Sequence, residues 1–551
     1  TVIMLASIIK QFHFKRLQRT THNPAPRQQQ ILLDILRTNR NTEFGQTHQF
    51  SAIQSIEDFR RQVPLRNSAE FGPYLKRVHQ GERNVLTVET PYFFAMTAGS
   101  TGDYKYIPIT RRFKRELDRS VYAFYHLLET NCPEFRSAPL QFFVGSAEGG
   151  QSPGGIPQGF VSGFNYKNLP AFIRRKFVVP YWVFTQPDMD DRFYAIGRFL
   201  TAKNSLAGFG GFSPLAIMSV IKRLLANIDT LEQDVRNGTL TLNHPITPNR
   251  YTPTSLPTFK PDAALAQKIS DWRNTERPLP DLMQILLPNL KYVATWMGGN
   301  MGYSTQSLLQ LIGTKQVHEM PFSASEGIFG IPFRLDREGG IAAVTSHFLE
   351  YIREQDIDLE NPPVYCAWEL EQGEHYYQII TTSGGLYRYN MEDLIRVEGF
   401  YNKTPVVQFV SKRARQISIS NERLNENDVT ESCRQASAST GVHFDEFILF
   451  PTRANHYCLV VEECDQDLGP FVQAFEARLR ALAKVYDMER TARTLGPVTL
   501  LETHRGQLRD YTNAIYFRSA LPSSQYKPVH LSNSFTDADS FPVARLHSLE
   551  I

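Results

Sequence analysis

The chain has 551 residues, 42% of them hydrophobic and 21% charged, a composition that excludes disordered and membrane-embedded proteins and favours two domains over one. Lys and Arg (59) nearly balance Asp and Glu (56), which leaves a net charge of +3. Because nucleic-acid-binding proteins carry concentrated basic character, we expect no nucleic acid as a partner.

The N-terminal segment TVIMLASIIKQFHFKRLQR predicts an amphipathic helix. Its apolar run is too short to span a bilayer and lacks the basic leader and cleavage site of a secretory signal, so we expect no targeting peptide. Leu5, Ile8, Ile9, Phe12 and Leu17 fall at helical spacing between basic residues, a pattern that would suit a membrane surface. Packing of this face onto the body of the protein is the simpler interpretation, and we expect no stable membrane association.

Helix and strand signals then alternate, which predicts an α/β body. Ser55, followed three residues later by Asp58, begins one predicted helix, and residues 110–129 repeat apolar side chains on one helical face. Strand-like runs such as LQFFVG and KYVATW are followed by helical segments. Residues 236–288, rich in Pro, Thr and Asn, predict a surface excursion that holds one helix at 263–273.

The last part of the chain predicts a unit of its own. From Val364 the sequence is strand-rich with two hairpin turns, as in a β-meander. An α+β pattern follows, with predicted elements at residues 425–439, 444–450, 457–462, 471–485, 498–501 and 508–518. We therefore predict an N-terminal domain over 1–411 and a smaller C-terminal domain over 412–551. A hinge between Ser411 and Ser420 would place a cleft between them.

The five cysteines favour reduced thiols in a cytoplasmic protein. They show neither a CxxC pair nor a nearby His at zinc spacing: Cys132, Cys366, Cys433, Cys458 and Cys464. Neither disulfides nor structural zinc is expected.

The segment TAGSTGDYK suits a phosphate-binding loop. Backbone amides and hydroxyls of Thr97, Gly99, Ser100 and Thr101 would surround phosphate oxygens, and Lys105 would add a positive charge. It is not a Walker A loop, because GxxxxGK[ST] is absent. Taken alone, such a turn is more often a plain solvated loop.

The segment MPFSASEGIFG offers groups for a base, a phosphate and a metal ion. Phe322 would lie against a purine, Ser325 would bond a phosphate or a base edge, and Glu326 would hold Mg²⁺. For this segment alone, a buried aromatic ring beside a capping Ser and a surface Glu is the competing interpretation.

The segment GLYRYNMEDLIRVEGFYN offers groups for a ribose and for phosphate charge. Asp393 would accept both ribose hydroxyls, while Tyr387 and Arg388 would flank the nucleotide. An Arg–Asp pair within the β-meander is the competing interpretation, and this segment alone does not favour either.

These three segments, in this order and before a separable C-terminal unit, resemble the adenylate-forming superfamily and, within it, the Gretchen Hagen three family of acyl acid amido synthetases. The resemblance covers nearly the whole chain, through TAGSTGDYKYIPIT, PFSASEG, TTSGGLYRYNMED, GFYNKTPVVQFVSKR, ISISNERLNE and HRGQLRDY to SSQYKP. It implies an α/β fold: a large N-terminal adenylate-forming domain of β-sheets flanked by helices plus a β-barrel-like part, and a mobile α+β C-terminal cap.

The resemblance also implies an activity that uses ATP and Mg²⁺. A carboxylic acid would become an acyl adenylate with release of pyrophosphate, and an amino acid or other amine would then take the acyl group as an amide. Glu326, Lys105 and the C-terminal Lys527 are the implied catalytic residues, with Lys527 meeting the carboxylate and the α-phosphate. No obligate protein partner is evident.

The segment WMGGNMGYS is a candidate wall of the acyl pocket. Beside Trp296, the glycines Gly298 and Gly299 would let a ligand approach the backbone. A plain turn between a strand and a helix explains the same letters equally well.

The sequence departs from the family pattern at several positions. Ala98 removes a hydroxyl from the phosphate loop, Phe322 replaces the usual Tyr, and Glu392 stands where a Gly is common. At the predicted hinge, the family's Arg, Asp and Lys are replaced by Lys412, Glu422 and Arg423.

Three other functions compete with amide synthesis. The first is an adenylate-forming ligase that transfers the acyl group to a thiol of coenzyme A or of a carrier protein. The second is a nucleotide-binding protein that has lost catalysis, suggested by Ala98 and Glu392. The third is a serine hydrolase, because GQSPG at residues 150–154 fits GxSxG, although its Gly- and Pro-rich surroundings do not suit a strand, turn and helix.

Overall fold

The computed structural model describes residues 2–98, 104–136, 138–169, 171–275, 277–299, 301–313, 316–334, 336–413, 416–420, 422, 424–518, 529–535 and 537–548. Predicted residues that lie outside the described residues are Gly99, Ser100, Thr101, Arg423 and Lys527, together with the side chains of Leu5 and Ala98.

Helices and strands alternate along most of the chain. The helices are α1 (Val2–Thr20), α2 (Pro24–Asn39), α3 (Glu43–Thr47), α4 (Ile56–Gln62), α5 (Ser68–His79), α6 (Arg111–Asn131), α7 (Val161–Asn168), α8 (Ala171–Arg174), α9 (Tyr181–Phe184), α10 (Met189–Thr201), α11 (Pro214–Ala226), α12 (Ile228–Asn237), α13 (Ala263–Arg273), α14 (Leu279–Leu286), α15 (Met301–Ile312), α16 (Glu426–Thr440), α17 (Gly469–Leu482), α18 (Lys484–Thr491) and α19 (Gln507–Arg518). The strands are β1 (Phe93–Ala98), β2 (Tyr104–Ile109), β3 (Leu140–Phe142), β4 (Gln158–Gly159), β5 (Gly208–Gly210), β6 (Tyr292–Thr295), β7 (Val317–Glu319), β8 (Phe322–Ala324), β9 (Gly327–Ile331), β10 (Gly340–Ala342), β11 (Phe348–Arg353), β12 (Tyr365–Cys366), β13 (His375–Thr381), β14 (Tyr389–Tyr401), β15 (Thr404–Lys412), β16 (Gln416–Ile417), β17 (Leu424–Asn425), β18 (Phe447–Pro451), β19 (Tyr457–Glu462), β20 (Thr499–Thr503) and β21 (Val543–Ser548).

Three sheets build the N-terminal part of the fold. A parallel sheet has the order β3-β5-β6-β7, and a small sheet with the order β2-β1-β4 holds the antiparallel β1–β2 hairpin. An antiparallel sheet with the order β12-β11-β13-β14-β15-β10-β9-β8 stands where the β-barrel-like part was expected. One large cluster of buried apolar side chains, running from Leu17 to Val407, joins these elements.

The C-terminal unit has its own sheet and its own core. Its main sheet has the order β18-β19-β20-β21, and a separate apolar cluster runs from Ile417 to Leu531. The predicted elements of this unit are present, with ends within three residues of those expected. Helix α18 and strand β21 were not predicted. β21 pairs with β20 and exposes Val543 and Leu546, so its sequence lacks the alternation of a half-buried strand.

Helix α1 packs against α6 and so onto the body of the protein, as expected, but of the described side chains of the predicted face only Leu17 is buried. Lys10 is 7% exposed and pairs with a glutamate of α6, and Leu17 is fully buried. Ile8, Ile9 and Phe12, which were assigned to the buried face, are exposed. The prediction of that face was wrong because a buried ion pair between distant helices places a lysine inward, and hydrophobic periodicity contains no sign of such a pair.

Candidate functional site

A cleft opens beside the antiparallel sheet. It holds about 850 Å³ of empty space, which includes the part of its mouth that is open to solvent. Its walls come from β8, the β14–β15 pair, the end of β7 and the segment after β6. Four of the predicted site residues, which come from separate segments of the sequence, line this one cleft: Trp296, Gly298, Phe322 and Asp393.

The β8–β9 hairpin supplies an aromatic wall and a buried carboxylate. Phe322 lines the cleft, and its ring lies 5.2 Å from that of Phe329 and 5.4 Å from that of Phe409. Ser325 and Glu326 form the turn that follows, and both are buried. Within the described residues, no donor or cation is bonded to the Glu326 carboxylate. A buried carboxylate is unfavourable unless a donor or cation meets it, and the lack of a described partner fits Glu326 as a ligand of Mg²⁺.

The β14–β15 pair supplies the second carboxylate. Asp393 lies opposite Lys412 in the strand register and is 2% exposed. Its carboxylate forms an ion pair with the Lys412 ammonium. Both residues line the cleft. The predicted ribose acceptor is therefore present in the cleft and paired with a lysine from the start of the predicted hinge.

Tyr389 shows that the second and third segments meet. Burial is the main cause that raises the pKa of Tyr389, and the carboxylates of Glu326, Glu392 and Asp393 raise it further. A hydrogen bond with Ser68 acts in the opposite direction. Carboxylates from two distant segments therefore lie within electrostatic reach of one buried hydroxyl.

Tyr387 and Arg388 lie in the core and not on the cleft. The Tyr387 ring is fully buried, stacks on Phe44 at 4.9 Å, and its hydroxyl donates to the Leu86 carbonyl at 2.7 Å. Arg388 is 4% exposed and pairs with the buried Glu350 at 3.2 Å. The expected nucleotide contacts of these two residues have no geometric support, because internal partners already engage both side chains.

Of the phosphate-loop segment, the structure describes the two ends. Thr97 and Lys105 face each other in the β1–β2 hairpin, and both are half-buried. Helix α5 packs on both β2 and β14. On the β2 side, the His79 ring stacks on Tyr106 at 4.0 Å. Helix α5 thus connects the hairpin of the first segment to the strand that carries Asp393.

Trp296 and Gly298 line the same cleft as Phe322, and Gly299 is the next residue of that segment. The Trp296 indole N–H donates to the Pro321 carbonyl at 2.9 Å. Gly299 has a φ of +58°, and a Cβ there would lie 2.9 Å from the Phe409 ring. The glycines therefore let this segment approach β15 closely, and Trp296 lines the same cleft as Phe322, the predicted contact of the base.

Two carboxylates of the cleft were not among the predicted residues. Glu319, at the end of β7, accepts hydrogen bonds from the Met297 amide at 3.1 Å and the Met320 amide at 3.1 Å. Burial is the main cause that raises the pKa of Glu319. Glu426, from α16 of the C-terminal unit, also lines the cleft. It falls within the element predicted at residues 425–439, but its position at the cleft was not predicted.

Glu392 holds a backbone conformation that favours glycine. Its φ is +56°, and its amide donates to the Asn390 side-chain oxygen at 2.9 Å. The structure therefore requires at this position the left-handed conformation that the family's usual Gly adopts freely.

The serine-hydrolase interpretation does not fit the geometry. Ser152 lies in a turn between paired Gln151 and Pro157, and its hydroxyl accepts from the Ile156 amide at 3.1 Å. A nucleophile elbow needs a strand that runs into a helix, whereas this turn is followed directly by the two-residue strand β4.

Among the described residues, no helix combines the length and the apolar character needed to cross a bilayer.

Comparisons with known proteins agree with the architecture. The model of the GH3 family N-terminal domain matches residues 13–317, and that of the GH3 family central domain matches residues 340–412. Indole-3-acetic acid-amido synthetase GH3.2 of Arabidopsis thaliana is 24% identical over 88% of this chain and 94% of that protein. The 4-substituted benzoates-glutamate ligase GH3.12 of the same plant is 23% identical over 81% of this chain and 80% of that protein.

A solved structure matches almost end to end. The GH3.15 acyl acid amido synthetase superimposes with a TM-score of 0.81 at 18% identity, covering 97% of each chain. This likeness confirms the predicted α/β fold class.

Proposed function

Since the chain belongs to the GH3 family, we propose that it is an ATP-dependent ligase that joins a carboxylic acid to an amino acid or another amine through an acyl adenylate. The observation that carries the proposal is the single cleft lined by Phe322 and Asp393, with the Glu326 carboxylate, to which no described residue is bonded, in the adjoining turn. A site for an adenine nucleotide with its metal ion needs an aromatic face for the base, an acceptor for the ribose hydroxyls and a ligand for the metal, all close together.

The first step joins two anions. A carboxylate oxygen attacks the α-phosphorus of ATP, a new C–O–P linkage forms, and the bond to the β-phosphate oxygen breaks, which releases pyrophosphate. Hydroxyls and amides of the segment Thr97 to Thr101 would donate to the outer phosphates, Lys105 would add a positive charge there, and Lys527 would meet the carboxylate and the α-phosphate. Mg²⁺ bound through Glu326 would supply further positive charge. Such electrostatic positioning is the main source of catalysis in phosphoryl chemistry.

The second step needs no further ATP. The amine nitrogen attacks the acyl carbon, the bond to the phosphate oxygen breaks, AMP leaves, and the nitrogen loses a proton. Removal of water from the cleft would protect the mixed anhydride.

Binding of ribose requires a change at Asp393. Its carboxylate contacts the Lys412 ammonium. We propose that the ribose hydroxyls donate to this carboxylate and displace or share that contact. Phe322 would cover one face of the adenine ring, and Ser325 would bond a phosphate or a base edge. Because Trp296 and Gly298 line the same cleft, the acyl group would occupy the part of the cleft beside them and beside Gly299, the next residue.

The proposed domain boundary falls between residues 411 and 412. Support comes from the two apolar clusters, one ending at Val407 and the other beginning at Ile417. Movement of the C-terminal unit about this boundary would open the cleft to the amine. Free thiols at all five cysteines suit the cytoplasm, which we propose as the compartment.

The test is pyrophosphate release from purified protein with ATP and Mg²⁺, measured across an array of carboxylic acids with and without each amino acid. Acid-dependent release followed by an amide product, identified by mass, is the expected result. A thioester formed with coenzyme A in place of an amide would support thiol transfer. ATP binding without acid-dependent release across the array would indicate a binding protein and overturn the proposal.

A further inference from the structure

A buried imidazole lies directly behind the turn that carries Glu326. His347, in the segment between β10 and β11, is fully buried. Its Nε2 accepts the Ile328 backbone N–H at 3.2 Å, two residues beyond Glu326. A Cβ added to Gly327 would lie 3.1 Å from the same nitrogen. The β8–β9 turn is therefore seated against this ring.

The hydrogen bonds assign the protonation state of the ring. A backbone N–H can only donate, so Nε2 of His347 carries no proton. The proton of the neutral ring is then on Nδ1, which lies 3.3 Å from Oε2 of Glu116 and donates to it. Glu116, on α6, is itself 3% exposed. The ring is thus fixed in orientation at both nitrogens.

Glu116 connects this arrangement to the segment that carries Asp393. Its Oε2 also accepts the Ser383 backbone N–H at 3.2 Å, in the turn between β13 and β14. The same carboxylate therefore supports the turn of Glu326, through His347, and the turn that precedes β14.

We propose that His347, oriented by Glu116, is a positioning residue that sets the Glu326 carboxylate for the metal–nucleotide complex. The inference rests on the proposed function. His347 does not reach the cleft; it acts through the Ile328 amide, because that bond fixes the two-residue turn in which Glu326 sits. Groups that orient a metal ligand commonly determine its affinity for the metal.

The two ring nitrogens allow matched variants. His347→Asn places an amide near the Nδ1 position, which keeps the donor to Glu116 but does not reach Ile328. His347→Gln places an oxygen near the Nε2 position, which keeps the acceptor for Ile328. Ser120→Ala is the control, because the Ser120 hydroxyl bonds that of Ser346 at 2.7 Å between the same two segments without touching the turn.

Two measurements test the inference. The first is hydrogen–deuterium exchange of the peptide spanning residues 322–331, without nucleotide. The second is the Mg²⁺ dependence of binding of a non-hydrolysable ATP analogue. We expect His347→Asn to speed exchange in that peptide and to weaken Mg²⁺-dependent binding by about 10- to 100-fold. His347→Gln should resemble the wild type more closely, and Ser120→Ala should match it in both measurements.

Unchanged exchange and unchanged Mg²⁺ dependence in His347→Asn would overturn the role of His347, as would equal losses in Ser120→Ala. Should His347→Asn fail to fold, Glu116→Gln gives the same comparison with a smaller loss expected. Pyrophosphate release by the wild type separates the two proposals. If no acid supports release, the proposed function fails and this inference with it; if release is normal and the variants behave alike, only the inference fails.

Discussion

The ammonium of Lys412 contacts the carboxylate of Asp393 across the β14–β15 pair, so the last residue of β15 neutralises the proposed ribose acceptor. Asp393 is almost fully buried, whereas about a third of the Lys412 side chain is exposed. The contact therefore matters chiefly as the counter-charge of a buried carboxylate.

We expect Lys412→Ala to lower the free energy of unfolding by about 1–2 kcal/mol, because the Asp393 carboxylate loses its counter-charge while solvent screens part of that loss. Lys412→Arg, which keeps the charge, should cost less. Urea unfolding with and without an ATP analogue measures both effects. The analogue should stabilise Lys412→Ala more than the wild type, since ribose hydroxyls would supply the missing donors. Equal stabilisation of the two proteins would contradict ribose binding at Asp393.

Glu326→Gln tests the metal carboxylate. We expect pyrophosphate release to fall by about 100- to 1000-fold, because the amide cannot balance the charge of a divalent cation. The free energy of unfolding should not fall, since a neutral amide is easier to bury than a carboxylate and no described partner is lost. Glu374→Gln, in the exposed turn directly before β13, is the matched control and should keep full activity. A Glu326→Gln protein with wild-type release at low Mg²⁺ would remove Glu326 from the metal site.

Glu392→Gly should stabilise the protein by about 1 kcal/mol, because a glycine adopts the positive φ of this position without strain. Arg493→Gly is the control: Arg493 has a φ of +61° on the exposed surface after α18, away from the cleft. Thermal unfolding measures the gain of both variants, and nucleotide binding separates them. Only Glu392→Gly should alter nucleotide affinity, and the same change in Arg493→Gly would show that the effect is not local to the cleft.

Glu319→Gln should change how stability depends on pH. Burial, followed by the charge of Glu338, raises the pKa of Glu319 in the folded protein above its ordinary value of 4.5. The folded state therefore holds a proton that the unfolded state releases, so stability is lost as pH rises above that value. The amide has no proton to lose. The free energy of unfolding of Glu319→Gln, minus that of the wild type, should therefore be larger at pH 8 than at pH 5. Urea unfolding of both proteins at the two pH values measures this difference. A constant difference between the two proteins would show that Glu319 ionises normally.

Local patterns in the sequence determined a large part of the fold. The helix predicted at residues 263–273 is found with those ends, and β19 is found at residues 457–462 as predicted. Capping residues, periodicity and turn residues act within a few positions of the chain, so they can be recognised without knowing what packs against them. The same holds for the three polar segments, whose order and composition identified the family before any contact was known.

Tertiary structure alone decided which of those residues face the cleft. Tyr387 and Arg388 stand in the same motif as Asp393, yet Phe44 and Glu350, more than 300 and about 40 positions away, hold them in the core. Conversely, Glu319 belongs to no recognised motif, and only the approach of the Met297 segment to the end of β7 makes it part of the cleft. Burial and charge pairing depend on partners distant in sequence, and that is why residue types and spacing could name the chemistry but not assign every side chain to it.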